Sequence, residues 1–411
     1  MRSSPLLPIF LIVAVDVLGL TIMIPLLPFY AEKLGANAFQ VGWLIGLYAA
    51  CQLISGPLLG RLSDHMGRKP LLLVSQFGTF IGFLVTAFAP NLWILFLARG
   101  IDGSTAGNLS LAQAYISDVT KPEDRAKSFG IIGIAFGMGF LIGPAISGFL
   151  AQYDYRDPIF AAAALSAISI FTTYRLLPTG KPHAAEASAA ASAPAAPGGK
   201  RLSLVEWGAY VEYFHRPALA PRLWEFLSFA FGFAMFTSGL PLFAERRLTW
   251  HGAPFGPVQL GYIWAFAGFL GIFLQGPALG RLVKRFGEKS LLRTGFASYV
   301  VGYLMLALCH SLAVLLAATV VLALGGLVRP TLTSLITQAT PRTEQGVVLG
   351  LTQSLSSVSQ IVGPLLAGYM INLGTYNDLW LTGWGVIACV VSGVGLTLTS
   401  RSAAFAVAID T

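Results

Sequence analysis

Twelve long apolar runs dominate the sequence and limit what the chain can fold into. An α-helix needs about 20 predominantly apolar residues to cross a bilayer. The runs, numbered here as spans one to twelve, lie at approximately 6–30, 40–62, 71–89, 92–117, 127–151, 158–177, 219–244, 258–282, 290–309, 311–338, 346–372 and 379–399. Charged residues make up only 11% of the chain, whereas a soluble protein would carry about 25%. The sequence therefore predicts an all-α membrane protein with twelve transmembrane helices.

The segment between spans six and seven has a different composition. The stretch PTGKPHAAEASAAASAPAAPGGKR (178–201) contains almost no large apolar residue and cannot join a packed core. The following LSLVEWGAYVEYF (202–214) mixes apolar and acidic residues and can form a helix on the membrane surface. We predict a six-helix bundle over 1–177, a cytoplasmic linker with this surface helix over 178–217, and a second six-helix bundle over 218–411.

The basic residues predict the orientation in the membrane. Of the 26 Lys and Arg residues, 20 lie in segments on one side of the spans and four on the other, while Arg99 and Arg329 lie within spans. Cytoplasmic segments carry the excess of Lys and Arg. We expect both termini in the cytoplasm and the protein in a bacterial inner membrane. The net charge of +8 fits this bias, and no clustered basic face with aromatic residues predicts a nucleic-acid partner.

Two sequence segments recur later in the chain, and both are shifted by the same 220 positions, from 56 to 276 and from 142 to 362. The stretch GPLLGRLSDHMGRK (56–69) returns as GPALGRLVKRFGEK (276–289). The stretch IGPAISGF (142–149) returns at the same offset as VGPLLAGY (362–369). Internal repeats of this kind are typical of secondary transporters, whose substrate site lies near the membrane midplane at the interface of the repeats.

The first repeated segment contains a charged turn. Gly60 and Gly67 allow close helix approach and a tight turn. Asp64 lies at a helix end near Arg68 and Lys69, and such a cluster can latch two helices in one conformational state. The alternative is a turn with ordinary cytoplasmic positive charge.

Span five is rich in small residues. Gly137, Gly143, Pro144 and Gly148 allow close packing against a neighbouring helix and a bend at the proline. Ordinary helix packing would explain the same pattern.

Ionisable residues within spans are functional candidates by default, because hydrocarbon does not solvate them. Asp16 of span one could take up and release protons, or could be satisfied by neighbouring hydroxyl and amide groups. In span four, Asp102 follows Arg99 on the same helical face, which predicts either a structural salt bridge or proton coupling. Glu225 lies near the cytoplasmic end of span seven, and we expect its carboxylate to extend toward water.

These motifs resemble those of the major facilitator superfamily, over nearly the whole chain, and are most similar to the twelve-helix drug/proton antiporters that include the tetracycline exporters. The signature loop corresponds to 60–69, the exporter motif to the glycines of span five, and the helix-one signature to Asp16, Gly19, Pro25 and Pro28. The resemblance implies that Asp64 and its basic neighbours stabilise the outward-open state. It also implies antiport and a role for Arg99 in proton transfer.

Polar side chains on the spans that this family arranges around its cavity are the candidate substrate contacts. They are Tyr48, Gln52, Asn108, Gln113, Gln275, Arg329, Gln353 and Gln360. Each could instead make an interhelical hydrogen bond, and Arg329 could pair with an acid or hold an anionic substrate group.

One difference from the tetracycline exporters concerns span three, where those proteins carry an acid. The matching stretch QFGTFIGFLVTAF (76–88) has none, and Gly82 lies at the aligned position. We therefore expect neither tetracycline itself as substrate nor a direct copy of that proton pathway.

The leading hypothesis is a proton-coupled antiporter that exports a small amphipathic molecule or drug by alternating access, as a monomer in the lipid bilayer. We find no phosphate-binding loop, hydrolase motif or paired-cysteine metal signature, so we expect no enzyme activity and no cofactor, with a proton gradient as energy source. The alternatives are a facilitator or proton symporter for a sugar, nucleoside or organic acid, and a non-transporting lipid- or sterol-binding sensor on the same fold.

Overall fold

The computed structural model describes residues 6–119, 125–177, 211–341, 344–374 and 378–409. Helices make up almost all of the described chain. They are α1 (Leu6–Lys33), α2 (Ala38–Met66), α3 (Arg68–Ala87), α4 (Leu92–Ser104), α5 (Asn108–Val119), α6 (Arg125–Leu150), α7 (Asp157–Leu176), α8 (Ala220–Arg247), α9 (Pro257–Phe273), α10 (Leu279–Phe286), α11 (Glu288–Ala307), α12 (Leu312–Gly325), α13 (Val328–Gln338), α14 (Gln345–Gly374) and α15 (Asp378–Ile409). A two-residue hairpin joins β1 (Thr249–Trp250) to β2 (Ala253–Pro254), and a π-helical turn, Leu274–Ala278, joins α9 to α10.

Each of the twelve predicted spans coincides with a helix or a pair of consecutive helices, which confirms the predicted all-α membrane fold. Within the described residues, nine helical stretches are long and apolar enough to cross a membrane, and 137–150 and 257–273 are shorter apolar helices. Span four is divided into α4 and α5, span ten into α12 and α13, and span eight is interrupted by the π-helical turn. Such interruptions are tolerated at membrane depth where they face protein or a cavity.

The sequence repeat is also a repeat of backbone conformation. Gly67 and Gly287, which correspond in the two copies of the repeat, have positive φ angles of 95° and 76°, and α3 and α11 begin directly after them. Glycine reaches this left-handed region without the clash that a β-carbon causes. Asn91 and Ser311, which correspond at the same offset, cap the next helices by accepting a backbone N–H. The two halves therefore begin equivalent helices with equivalent turn chemistry.

The chain divides into two compact units. The first unit comprises Met1–Leu26 and Leu47–Arg201, and the second comprises Leu27–Gly46 and Leu202–Thr411, as far as these ranges are described. The predicted linker tract 178–201 and most of the predicted surface helix at 202–214 lie outside the described residues. Just after them, Arg216 forms ion pairs with Glu344 and with Glu212, the latter at 3.3 Å. The pairing with Glu344 raises the pKa of the Arg216 guanidinium above its usual value.

The break in span four is held by α3. Ser75 donates a hydrogen bond to the carbonyl oxygen of Thr105 and accepts one from the N–H of Gly107 at 2.9 Å. Gly78 leaves the room that Thr105 needs, since a β-carbon at position 78 would overlap the Thr105 side chain. Side-chain and glycine contacts from one helix thus set where its neighbour breaks.

Candidate functional site

Arg99 and Asp102 form a buried ion pair on α4. Arg99 Nη1 lies 2.8 Å from Asp102 Oδ2, and the two residues are only 7% and 5% exposed. The side chain of Thr79 on α3 also lies beside the Asp102 carboxylate. The guanidinium of Arg99 lies 4.3 Å from the centre of the Tyr48 ring on α2, a cation–π contact. The predicted pair therefore exists and is enclosed by three helices.

Burial makes this pair sensitive to the loss of either charge. Removing one partner of a buried ion pair costs about 3–5 kcal/mol, because the other charge stays desolvated without compensation. Arg99 Nε has no hydrogen-bond partner among the described residues. A change in the charge of Asp102 would therefore act directly on the position of Arg99.

Asp16 lies in a second polar cluster, which joins three helices. The side chains of Gln76 on α3 and Ser169 on α7 lie beside the Asp16 carboxyl group on α1. Gln76 Nε2 also donates to Ser169 Oγ at 2.7 Å, and Ser166 Oγ donates to the carbonyl oxygen of Gln76 at 3.3 Å. An amide and a hydroxyl can hydrogen-bond to either a charged or a neutral carboxyl group. This geometry therefore fits both a proton-exchanging Asp16 and an Asp16 that is satisfied by its neighbours.

Tyr48 lies near both clusters, close enough for charges on Asp16, Arg99 and Asp102 to act on its hydroxyl group. The sequence interpretation missed Gln76, Thr79 and Ser169. Their only signal was a polar residue inside an apolar span, which is also the signal of an ordinary interhelical hydrogen bond.

The other predicted cavity residues are placed as follows. In the first unit, Gln52 Nε2 donates to the Tyr48 hydroxyl at 3.3 Å. Asn108 Oδ1 is buried and has no hydrogen-bond partner among the described residues, whereas Gln113 is exposed. In the second unit all four predicted residues are exposed, namely Gln275, Arg329, Gln353 and Gln360. The structure thus brings Tyr48 to the Arg99–Asp102 pair and Gln52 to Tyr48.

The structure describes Arg68 and Lys69, the basic residues of the predicted latch, but not the side chain of its acid. Arg68 Nη1 donates to Ser63 Oγ at 2.5 Å and to the Gly60 carbonyl oxygen at 3.4 Å. Lys69 Nζ donates to the carbonyl oxygens of Tyr174 and Leu177 at 2.8 and 2.7 Å. Lys69 therefore caps the C-terminal end of α7, where a cation is favourable. The side chain of Asp64 lies outside the part of the chain that the structure describes, so the latch stays a prediction.

The glycines of span five pack against α1. Thr21 Oγ1 donates to the Gly139 carbonyl oxygen at 2.9 Å, and a β-carbon at Gly143 would overlap that hydroxyl group. Pro144 and Gly148 are buried, and Gly137 is half-buried. Small residues here allow the close approach of two helix backbones.

The expectation for Glu225 is wrong. Its carboxylate does not extend toward water, since the residue is 0% exposed. Both carboxylate oxygens accept hydrogen bonds from Nη1 of Arg222 at 2.9 and 2.8 Å. Arg222 lies three residues earlier on the same face of α8, so the charge is compensated within the helix.

Comparisons with known proteins agree with this architecture. The family model of the Major Facilitator Superfamily matches residues 9–285 and 269–407. The class H tetracycline resistance protein of Pasteurella multocida is 31% identical over 393 residues, 93% of each chain. Multidrug resistance protein 2 of Bacillus subtilis (strain 168) is 25% identical over 387 residues, 93% of this chain and 91% of that protein.

Solved structures show the same fold. The crystal structure of the nucleoside transporter NupG covers 98% of this chain and 99% of its own, with a TM-score of 0.75 and 14% identity. The family match spans nearly the whole chain, and the relatives match end to end. The protein is therefore a multi-pass membrane transporter that belongs to the Major Facilitator Superfamily.

Proposed function

We propose that the protein exchanges protons for a small amphipathic molecule or drug by alternating access, with the carboxyl groups of Asp16 and Asp102 as proton carriers. One observation supports this most strongly. Two acids from different spans lie in polar clusters that both include a side chain of α3, and Tyr48 lies near both acids. Ionisable groups inside a membrane span are expensive and mark proton relays and substrate pathways.

The Arg99–Asp102 pair provides a physical link between protonation and conformation. A proton on Asp102 cancels the charge that holds Arg99 at 2.8 Å. Arg99 then keeps its contact with the Tyr48 ring but has no anionic partner. The uncompensated charge favours a rearrangement of the helices that enclose the pair. An ion gradient biases such a two-state element only by binding its two states differently.

The similarity to tetracycline resistance and multidrug resistance proteins supports a drug-like substrate. The proposal includes protons and the lipid bilayer as partners, a proton gradient as the energy source without a cofactor, and a monomer as the working unit. It places the protein in a bacterial inner membrane with both termini in the cytoplasm, as the distribution of Lys and Arg supports.

Reconstituted vesicles test the coupling. The vesicles are made acidic inside and loaded with a pH-sensitive dye, and candidate compounds, beginning with tetracycline and ethidium, are added outside. We expect at least one compound to enter in exchange for protons, which the dye reports as a rise in internal pH. Asp16→Asn and Asp102→Asn should each lower this exchange by at least about tenfold. Asp154→Asn, at an exposed acid of the same unit, is the matched control.

The same assay separates the alternatives. Compound flux without proton movement would indicate a facilitator, and movement of protons and compound in one direction would indicate a symporter. Either result, or full exchange in both Asn variants, would contradict the proposal.

A further inference from the structure

The second unit contains a continuous series of aromatic rings on α8, α9 and α11, which we name the aromatic tract. It consists of Phe229, Phe233, Phe236, Trp264, Tyr299 and Tyr303, with neighbouring ring centres 5.3 to 6.4 Å apart. Phe233 and Phe236 are half-buried, whereas the other four rings are buried and support them. Rings at these separations interact favourably and keep one another in place.

An exposed arginine lies at one end of the aromatic tract. Arg329 is the second residue of α13, directly after the break in span ten, and it lies close to Tyr299. Its side chain is exposed, and within the described residues no carboxylate oxygen lies within 4.0 Å of its guanidinium. An unpaired arginine inside a span is expensive and faces the protein interior or a polar cavity. The position therefore favours an anion from outside the chain.

The surroundings of the break complete an anion-binding arrangement. Tyr299 packs directly against Gly325, where a β-carbon would lie 2.7 Å from its ring. The amide Nε2 of Gln275, in the π-helical turn, lies 3.1 Å from the β-carbon position of Gly326. The first turn of α13 adds the positive potential of a helix N-terminus. A cation, an amide donor and an aromatic ring thus surround one helix break.

The internal repeat shows that these features are particular to the second half. At the offset that relates the two copies, Phe236 corresponds to Asp16 and Tyr299 corresponds to Thr79. Arg329 corresponds to Leu109. Positions that carry polar groups around the candidate proton carriers in the first half thus carry aromatic rings in the second half, next to an added cation.

We propose that Arg329 and the aromatic tract form a binding subsite for a substrate that carries an aromatic ring and a negative charge. This inference rests on the proposed transport function and specifies its substrate class. The guanidinium of Arg329 binds the oxyanion through two parallel N–H donors, which Arg geometry favours. The substrate ring stacks on the half-buried faces of Phe233 and Phe236, and Gln275 donates to the same anionic group.

Equilibrium binding to the purified protein in lipid nanodiscs tests the subsite without a gradient. The probe is 2-naphthalenesulfonate, which stays anionic at every working pH. Its binding is measured by quenching of intrinsic tryptophan fluorescence, and the comparison compounds are measured by their displacement of the probe. We expect 2-naphthalenemethanol, which lacks the charge, and cyclohexanesulfonate, which lacks the aromatic ring, to bind at least about tenfold more weakly. Arg329→Gln should remove the preference for the sulfonate, Arg329→Lys should keep part of it, and Arg285→Gln, at an exposed arginine of α10, should keep all of it.

Three results would overturn the subsite. They are no binding of the probe, an affinity for either control compound equal to that for the probe, or an unchanged affinity of Arg329→Gln for the probe. If Arg329→Gln does not fold, Phe236→Leu takes its place and should weaken the naphthalene probe but not cyclohexanesulfonate. Asp154→Asn, at an exposed acid outside both polar clusters, should bind the probe normally. Failure of the subsite would therefore leave proton exchange intact in vesicles, whereas failure of the proton exchange would leave probe binding unchanged.

Discussion

A β-carbon on Gly82 of α3 would lie 2.8 Å from the β-carbon of Asp102 on α4. At the equivalent place in the second half, Gly302 packs equally closely against Leu322. Both halves use a glycine to bring these helices together, but only the first half places a carboxylate there. The acid of span four thus lies directly beside this glycine of span three.

Gly82→Ala should disturb the coupling between protons and substrate more than Gly302→Ala does. The added methyl group must displace Asp102, and we expect proton-coupled exchange to fall by at least about tenfold. Gly302→Ala introduces a similar clash against Leu322 and should cost about 1–3 kcal/mol of stability, yet leave the number of protons released per substrate unchanged. Parallel measurements of internal pH and substrate uptake give this ratio. Equal losses of flux with an unchanged ratio in both variants would indicate that the contact serves packing alone.

Ser169→Ala should impair exchange through Asp16. The change removes the hydroxyl that contacts Asp16 and accepts from Gln76 Nε2 at 2.7 Å. Loss of a hydrogen bond costs about 0.5–1.5 kcal/mol, so we expect proton-coupled exchange to fall by about two- to tenfold. Ser166→Ala, which loses only a 3.3 Å bond to a backbone carbonyl, is the control. Similar exchange rates in both variants would argue against a role for the Asp16 cluster.

Gly143→Ala should destabilise the first unit. The new β-carbon would overlap the side chain of Thr21, so α1 and α6 must separate. We expect a loss of about 1–3 kcal/mol, seen as a lower midpoint of thermal unfolding. Gly100→Ala is the matched control, because no heavy atom lies within 4 Å of its β-carbon position. That variant should be neutral or gain up to about 1 kcal/mol from helix propensity. Equal midpoints for the two variants would contradict the packing argument.

Glu32 and Arg246 should show a measurable energetic coupling. Their side chains are 16% and 24% exposed and lie 2.6 Å apart. After allowance for screening by solvent, we expect a coupling of about 0.5–1 kcal/mol in a double-mutant cycle of Glu32→Gln and Arg246→Gln. Arg247 and Asp378, 3.9 Å apart with Asp378 88% exposed, form the control pair and should give a coupling near zero. A coupling as small for the first pair as for the second would refute the prediction.

The sequence by itself determined the features that depend on local pattern. Hydropathy over windows of a span's length located all twelve helical spans, because each helix satisfies its own backbone hydrogen bonds in lipid. The constant offset of the repeat identified the equivalent turns at Gly67 and Gly287, since only glycine enters that conformation without strain. The spacing of Arg99 and Asp102 predicted their pairing, because residues three apart share a helix face.

Only the tertiary structure decided which side chains meet across helices. Gln76 and Ser169 lie 93 positions apart, yet they hydrogen-bond to each other and lie beside Asp16. The rotation and depth of each helix place Lys69 at the end of α7 and bury Glu225 in α8. A single-sequence pattern shows that a span is polar at one position, but not which neighbour that position faces. The partners of Asp16 depend on the packing of three helices, and that packing is set by contacts between residues far apart in the chain.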